Sequence, residues 1–86
     1  MSELRLRTDG LSWRELDGEI VALDGDKSIY VATNRTGTLV WQKLAEGATR
    51  DQLVESLVAA FGVSAETAAA DVDRFVADLR ANGLLA

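Results

Sequence analysis

The first third of the chain has the hydrophobic spacing of β-strands. Segment 11–16 (LSWREL) alternates between two faces, 19–24 (EIVALD) is apolar at most positions, and 28–33 (SIYVAT) combines β-branched and aromatic residues. An Asp-Gly pair lies between the first two segments and favours a tight hairpin, because both central residues of a type I′ turn need positive φ. A second polar turn at 24–27 precedes the third segment. The pattern therefore predicts three short strands joined as an antiparallel meander.

From Asn34 onward the apolar residues recur three and four positions apart, which is typical of amphipathic helices. Asn34 is a favourable N-cap for the first helix, and Thr49 with Gln52 has the spacing of a capping box for the second. Ser64 can cap the third helix, and a glycine follows each helix, where positive φ is easily adopted. The predicted helices span about 34–46, 49–61 and 65–82.

Together these elements predict a single α+β domain over residues 1–86, with a three-stranded antiparallel sheet followed by three helices. A sheet of three strands is marginal without cover, so we expect the helices to pack across one of its faces. Residues 1–10 either add a short edge strand or fray. At least one outer strand edge should stay unpaired, and the third strand protects its edge poorly because it has no proline and only Lys27 as a flanking charge.

The composition excludes most kinds of catalytic and metal chemistry. The chain has no cysteine and no histidine, which removes disulfides, thiolate nucleophiles and imidazole ligands. Its carboxylates lack the spacing of a calcium loop, and its two lysines, Lys27 and Lys43, sit where exposure is expected. We therefore predict a protein that is not an enzyme, with no catalytic residues, no metal and no cofactor.

Charge and hydropathy also limit the partners. The net charge is −5, and the third predicted helix has four acidic residues against two arginines, which is the wrong sign for a phosphate backbone. A nucleic-acid-binding winged-helix protein is therefore only an alternative hypothesis, and a basic partner is mildly favoured. No signal peptide and no membrane span are predicted, and the lack of cysteine favours the cytoplasm.

An ordered series of motifs covers nearly the whole chain, from about residue 11 to 85. A strand ending in Asn is followed by Thr-Gly, by an aliphatic-Trp pair and by a Gly-x-Thr link between helices. Later come an Asp-aliphatic pair, an aromatic-aliphatic pair and a Leu, each separated from the one before by two residues. The series ends in Gly-Leu-Leu. These residues are Asn34, Thr36, Gly37, Val40, Trp41, Gly47, Thr49, Asp71, Val72, Phe75, Val76, Leu79, Gly83, Leu84 and Leu85. The series resembles the PqqD-like family, the peptide recognition elements of ribosomal-peptide biosynthesis (RiPP recognition elements). The sequence departs from the family pattern at Thr33, where members often carry Leu.

The resemblance implies a winged-helix-like fold and a non-catalytic function. Family members bind the leader segment of a precursor peptide as an added β-strand beside their third strand, in a groove closed by their third helix, and they serve a processing enzyme. In this chain the leader would pair with strand 28–33 and contact helix 65–82. The candidate peptide-binding residues are Ile29, Tyr30, Val31, Ala32 and Thr33 on the strand and Asp71, Val72, Arg74, Phe75, Asp78 and Leu79 on the helix.

Two kinds of stand-alone family member fit a chain of this size. PqqD itself presents a precursor to a radical enzyme in quinone-cofactor biosynthesis, whereas the leader-binding proteins of lasso-peptide pathways pair with a separate cysteine protease, the leader peptidase. The short form and the hairpin favour the second kind. A purely structural adaptor without a peptide client is a further alternative. The unprotected strand edge allows either a monomer or a weak edge-strand dimer.

The predicted helix residues fit a peptide that is basic and partly hydrophobic. Asp71 and Asp78 lie seven positions apart, two turns along one helix face, with Arg74 and Phe75 between them. Carboxylates beside an aromatic ring suit a leader with basic residues around one or two hydrophobic anchors. The simpler interpretation is that the apolar residues at this spacing are plain core and the acids a solvated helix face.

Overall fold

Three longer strands and three helices form where the hydrophobic pattern predicts them, and two very short strands accompany them. A computed structural model describes residues 3–25, 29–32 and 34–86. The strands are β1 (Glu3–Leu4), β2 (Leu11–Leu16), β3 (Glu19–Asp24), β4 (Ile29–Ala32) and β5 (Ala48–Thr49), and the helices are α1 (Arg35–Glu46), α2 (Arg50–Phe61) and α3 (Ala65–Ala81). The predicted α+β class, with a three-stranded sheet ahead of three helices, is confirmed.

The main sheet is an antiparallel meander in the order β2-β3-β4. Asp17 and Gly18 both have positive φ, +52° and +80°, as the two-residue hairpin between β2 and β3 requires. β4 pairs with β3 along one edge, and no other described strand pairs with its opposite edge. The predicted ends of this strand at Ser28 and Thr33 lie outside the described residues.

The helix caps follow the sequence signals closely. The Asn34 side chain accepts a hydrogen bond from the Gly37 backbone N–H at 2.6 Å, which fixes the start of α1 directly after β4. Thr49 and Gln52 form the predicted capping box of α2, and Ser64 caps α3. α3 ends at Ala81, one residue earlier than predicted. Within the described residues, no helix has the length and apolar character needed to cross a bilayer.

The N-terminal segment packs against the C-terminal residues and the link between α1 and α2, away from the main sheet. Glu3 and Leu4 pair antiparallel with β5, the short link between α1 and α2. Leu6 is buried and forms an isolated bridge with Leu85, and the Arg7 backbone N–H donates to the Leu84 carbonyl at 2.8 Å. Residues 3–7 therefore tie the C-terminus and the α1–α2 link together, and they do not extend the three-stranded sheet.

The core lies between one face of the sheet and the three helices, as expected for a sheet that needs cover. Trp41 and Leu44 of α1 are fully buried at its centre, together with Ile20 of β3. The other large side chains that are fully buried are Val40, Leu53, Leu57, Val72 and Leu79. Burial of this apolar surface is the main stabilising contribution to the fold.

The opposite face of the sheet carries exposed apolar side chains. Leu23 and Ile29 are paired neighbours on this face and are 51% and 65% exposed, and Val21 and Val31 form the next pair. Leu16 at the end of β2 is 50% exposed. We refer to Leu16, Val21, Leu23, Ile29 and Val31 as the outer sheet face. Among the described residues, the helices thus cover one face of the sheet and leave the other face exposed.

Candidate functional site

A groove of about 680 Å³ lies between β4 and α3, beside the strand edge that has no partner in the described chain. We call it the β4–α3 groove. It is lined by Tyr30, Val31 and Ala32 from β4, by Asn34, Thr36 and Gly37 from the start of α1, and by Asp71, Arg74, Phe75, Ala77, Asp78 and Ala81 from α3. Its lining is mixed, with aromatic and small apolar side chains between charged ones.

The floor of the groove rests on a row of aromatic rings. Tyr30 is stacked on Trp41 with ring centroids 5.6 Å apart and an interplanar angle of 12°, and it meets Phe75 edge-on at 6.0 Å. On the far side, Trp13 contacts Trp41 edge-on at 5.9 Å. Because Trp41 is fully buried, the rings of Tyr30 and Phe75 have a rigid support on the core side.

One end of the groove depends on the absence of a side chain at Gly37. A Cβ atom at this position would lie 3.0 Å from Cε1 of Phe75 and 3.0 Å from Oδ1 of Asn34. Both distances are tighter than ordinary carbon contacts. Gly37 therefore allows the Phe75 ring to approach the first turn of α1 while Asn34 keeps its capping hydrogen bond.

The groove contains two carboxylates in different environments. Asp71 forms an ion pair with Arg74, with a 2.6 Å distance between Oδ1 and Nη2. Asp78 has no ion pair with any described arginine or lysine, and it lies beside the hydroxyl of Tyr30. Burial, the negative charge of Asp78 and a hydrogen bond to that carboxylate raise the pKa of Tyr30 to about 12. The Tyr30 hydroxyl is therefore protonated at neutral pH.

The side of α3 that faces α2 is arranged differently. Asp73 accepts two hydrogen bonds from Arg50, at 2.6 Å and 2.9 Å, so that the guanidinium holds the carboxylate at both oxygens. This contact raises the pKa of Arg50 and lowers the pKa of Asp73. A smaller depression beside the pair is lined by Leu4, Val76 and Arg80, among others.

Comparison with known proteins identifies the family. A family model described as "Coenzyme PQQ synthesis protein D (PqqD)" matches residues 19–85, which is most of the chain. The chain belongs to the PqqD family. The predicted resemblance is thus confirmed, although the match begins at β3, later than the expected start near residue 11. Among curated proteins, no relative matches the sequence.

Two solved structures share the fold of this PqqD-family chain. One, titled "Lasso peptide synthetase B1 complexed with the leader peptide", has a TM-score of 0.83 and 28% sequence identity, and the match covers 99% of each chain. The other, titled "TbiB1 in Complex with the TbiA(beta) Leader Peptide", has a TM-score of 0.84 and 23% identity, and covers 94% of this chain and 93% of that chain.

The structure brings together most, but not all, of the predicted site residues. Tyr30, Val31, Ala32, Asp71, Arg74, Phe75 and Asp78 line the β4–α3 groove. Val72 and Leu79 are fully buried and face the core, because they lie on the side of α3 that packs beneath the groove. The side chains of Ile29 and Val31 both point to the outer sheet face; Val31 still borders the groove, whereas Ile29 offers a groove ligand only its backbone. Thr33 lies outside the described residues.

Several groove residues were not predicted as part of the site. Asn34, Thr36 and Gly37 belong to a motif that the sequence does display, but there the motif indicates a helix start and gives no sign that it borders a groove. Ala77 and Ala81 could have been found from helical periodicity, since they follow Arg74 by three and seven positions. Among the described residues, no group of acidic side chains is arranged to hold a metal ion.

Proposed function

We propose that this PqqD-family chain binds the leader segment of a ribosomally made precursor peptide as an added β-strand along β4. The observation that carries the proposal is the position of the β4–α3 groove directly beside the edge of β4 with which no described strand pairs. The lasso peptide synthetase B1 structure supports it, because that protein is complexed with a leader peptide and matches this chain over 99% of both lengths.

Strand addition would use the backbone of β4 for affinity and the groove for selection. An edge strand offers unpaired N–H and C=O groups, and an extended peptide can satisfy them with main-chain hydrogen bonds. Alternate side chains of such a peptide point to the same face. Those pointing towards α3 would enter the groove, and those pointing away would extend the outer sheet face.

The aromatic rings offer the best place for a hydrophobic anchor of the peptide. Tyr30 and Phe75 are both half-buried, so each ring has a covered side and a side open to the groove. Burying one aliphatic or aromatic side chain against them would contribute roughly 1.5–3 kcal/mol. The buried Trp41 beneath Tyr30 limits how far the rings can yield, which would favour one shape of anchor over others.

We further propose that the protein acts without catalysis, in the cytoplasm, and hands the bound leader to a separate processing enzyme. The cysteine protease of a lasso-peptide pathway is the favoured enzyme, because the lasso peptide synthetase B1 chain has nearly the same extent as this one. The radical enzyme of quinone-cofactor biosynthesis is the second candidate, and the description of the matching family model favours it. Co-purification with each purified enzyme, with and without leader, would distinguish the two.

The first test is titration of ¹⁵N-labelled protein with a synthetic leader peptide from the precursor encoded beside this gene. We expect saturable binding, with amide shifts concentrated on β4 and on residues 71–81 of α3. Shifts confined to α2, or no binding to a folded protein, would contradict the proposal.

A matched pair of variants locates the binding surface independently. Ala81→Trp places a bulky ring at the open end of the groove, whereas Ala60→Trp makes the same change at an exposed position near the end of α2. The first should weaken leader binding and the second should leave it unchanged. Equal affinities for the two variants would place the peptide elsewhere on the molecule.

A further inference from the structure

We infer that Asp78 selects a leader peptide by pairing with a lysine or arginine side chain that lies across the rings of Tyr30 and Phe75. This inference rests on the proposed leader-binding function and specifies which chemistry the groove reads. It separates the two groove carboxylates, which the sequence pattern alone treats as equivalent.

The first observation is the distribution of charge along α3. Three aspartates, Asp71, Asp73 and Asp78, lie on the outer surface of the helix. Asp71 is paired with Arg74 at 2.6 Å, and Asp73 is paired with Arg50 at 2.6 Å. No described lysine or arginine pairs with Asp78. The described chain therefore neutralises two of these carboxylates itself, and none of its lysines or arginines pairs with the third, which lies inside the groove.

The second observation is the position of Asp78 in the last turn of α3. The C-terminal end of a helix carries partial negative charge, so a carboxylate there is unfavourable and a cation is preferred. The Asn82 backbone N–H and side-chain amide donate to the Asp78 carbonyl, which caps the helix backbone but gives the carboxylate nothing. Asp78 thus opposes the local electrostatics of its own helix, with the Tyr30 hydroxyl as a hydrogen-bond donor to its carboxylate, and such conflicts are expected at functional sites.

The third observation is the space around Asp78. Its neighbours on the groove wall are Ala77 and Ala81, whose side chains are single methyl groups. The rings of Tyr30 and Phe75 adjoin this space. A long aliphatic stem can lie on such rings while its charged end reaches a carboxylate, and a cation over an aromatic face is itself attracted. A lysine or arginine fits these conditions better than a short polar residue.

Arg74 disfavours peptide positions along β4 that would place a basic side chain near Asp71. It neutralises Asp71 and is itself largely exposed, so a basic peptide residue near Asp71 would meet a like charge. A basic residue is therefore favoured at the Asp78 end of the groove and disfavoured one to two helical turns away. This asymmetry would fix the position of the peptide along β4.

The test uses a display library of random peptides, selected in parallel on the wild-type protein, Asp78→Asn and Asp71→Asn. Asparagine keeps the size and an acceptor oxygen, so the fold is expected to be unaffected. Wild type should enrich lysine or arginine at one position, at a fixed distance from an apolar anchor. Asp78→Asn should lose this preference, and Asp71→Asn should keep it.

The best wild-type peptide is then synthesised with glutamine in place of its basic residue. We expect binding to the wild type to weaken by about fivefold, and binding to Asp78→Asn not to change further. An enriched peptide set without a basic preference, or one whose preference survives in Asp78→Asn, would overturn the inference and leave leader binding intact. Failure of the folded wild type to enrich any peptide would instead overturn the proposed function.

Discussion

The two sides of α3 carry carboxylates that the described chain surrounds in different ways. On the side facing α2, the guanidinium of Arg50 holds both oxygens of Asp73, and the contact links the two helices. On the side facing β4, Asp78 lies in an open groove beside Tyr30, and no described cation pairs with it. Asp73 and Asp78 are both exposed residues of the same helix, yet Arg50 pairs with the first and no described cation pairs with the second.

The largest expected effect comes from the residue between these two sides, Leu79. It was predicted as a groove residue, yet it is fully buried in the core. Leu79→Ala should lower the free energy of unfolding by about 2–5 kcal/mol, because it removes packed methyl groups and leaves a cavity. Urea denaturation measures this loss. A small loss of stability together with a large loss of leader affinity would indicate that Leu79 contacts the leader, as the sequence predicted.

A smaller effect is expected at the groove end formed by Gly37. The methyl group of Gly37→Ala would lie 3.0 Å from the Phe75 ring and 3.0 Å from Oδ1 of Asn34, so these neighbours must move by a few tenths of an ångström. We expect a displaced ring and a net destabilisation of about 1 kcal/mol, because the helix propensity gained by alanine offsets part of the packing cost. Chemical denaturation and the Phe75 ring signals in NMR report the two consequences. Thr36→Ala, one residue earlier in the same turn, is the control and should leave the ring signals in place.

The environment of Asp78 can be measured through Tyr30, the only tyrosine in the chain. Ultraviolet difference titration should give a pKa of about 12 for Tyr30 in the wild type. Asp78→Asn should lower this pKa only part of the way towards its ordinary value of about 10, because burial is the larger cause and persists. Asp73→Asn should leave it unchanged, and an equal shift in both variants would remove the contrast between the two sides.

The same pKa determines how stability depends on alkaline pH. Tyr30 has a higher pKa in the folded chain than in the unfolded chain, so its protonated form favours folding. This contribution is complete below about pH 10 and declines as the pH rises towards 12. Wild type should therefore lose thermal stability relative to Tyr30→Phe over that interval. A constant difference would argue against a raised pKa.

The smallest effect is expected for the Arg50–Asp73 pair. Both groups are solvent-exposed, and exposed ion pairs contribute little and are screened by salt. A double-mutant cycle with Arg50→Gln and Asp73→Asn should show weak coupling in thermal denaturation that fades as salt is added. Neither substitution should change leader affinity. Weaker leader binding in Asp73→Asn, comparable with that in Asp78→Asn, would contradict the division of α3 into two sides.

The sequence was sufficient to predict the elements of this fold, because each has a local signal. The Asp17-Gly18 turn, the Asn34 cap and the Thr49–Gln52 capping box all form as predicted. Residues 3–7 were ambiguous, because their position depends on contacts with β5 and the C-terminus, which are remote in sequence. Local propensity carries no information on such contacts.

The groove was predicted less completely than the fold. Spacing along a helix placed Asp71, Phe75 and Asp78 on one surface, but it could not show which neighbouring apolar residues turn inward, and Val72 and Leu79 do. The pairing of Arg74 with Asp71 and the stacking of Tyr30 on Trp41 depend on side-chain geometry. Periodicity predicts the direction in which a side chain leaves the helix axis. It does not predict which residues the end of that side chain contacts.

The stack of Tyr30 on Trp41 also makes the protein its own optical reporter. Excitation of a tyrosine passes efficiently to a tryptophan whose ring is 5.6 Å away, so light absorbed by the groove floor is emitted from the core. Trp41 is fully buried and Trp13 is 40% exposed, which lets a soluble quencher separate their emission. A molecule bound on Tyr30 and Phe75 would therefore change the intrinsic fluorescence of the unlabelled protein, so its association rate could be measured by stopped-flow fluorescence.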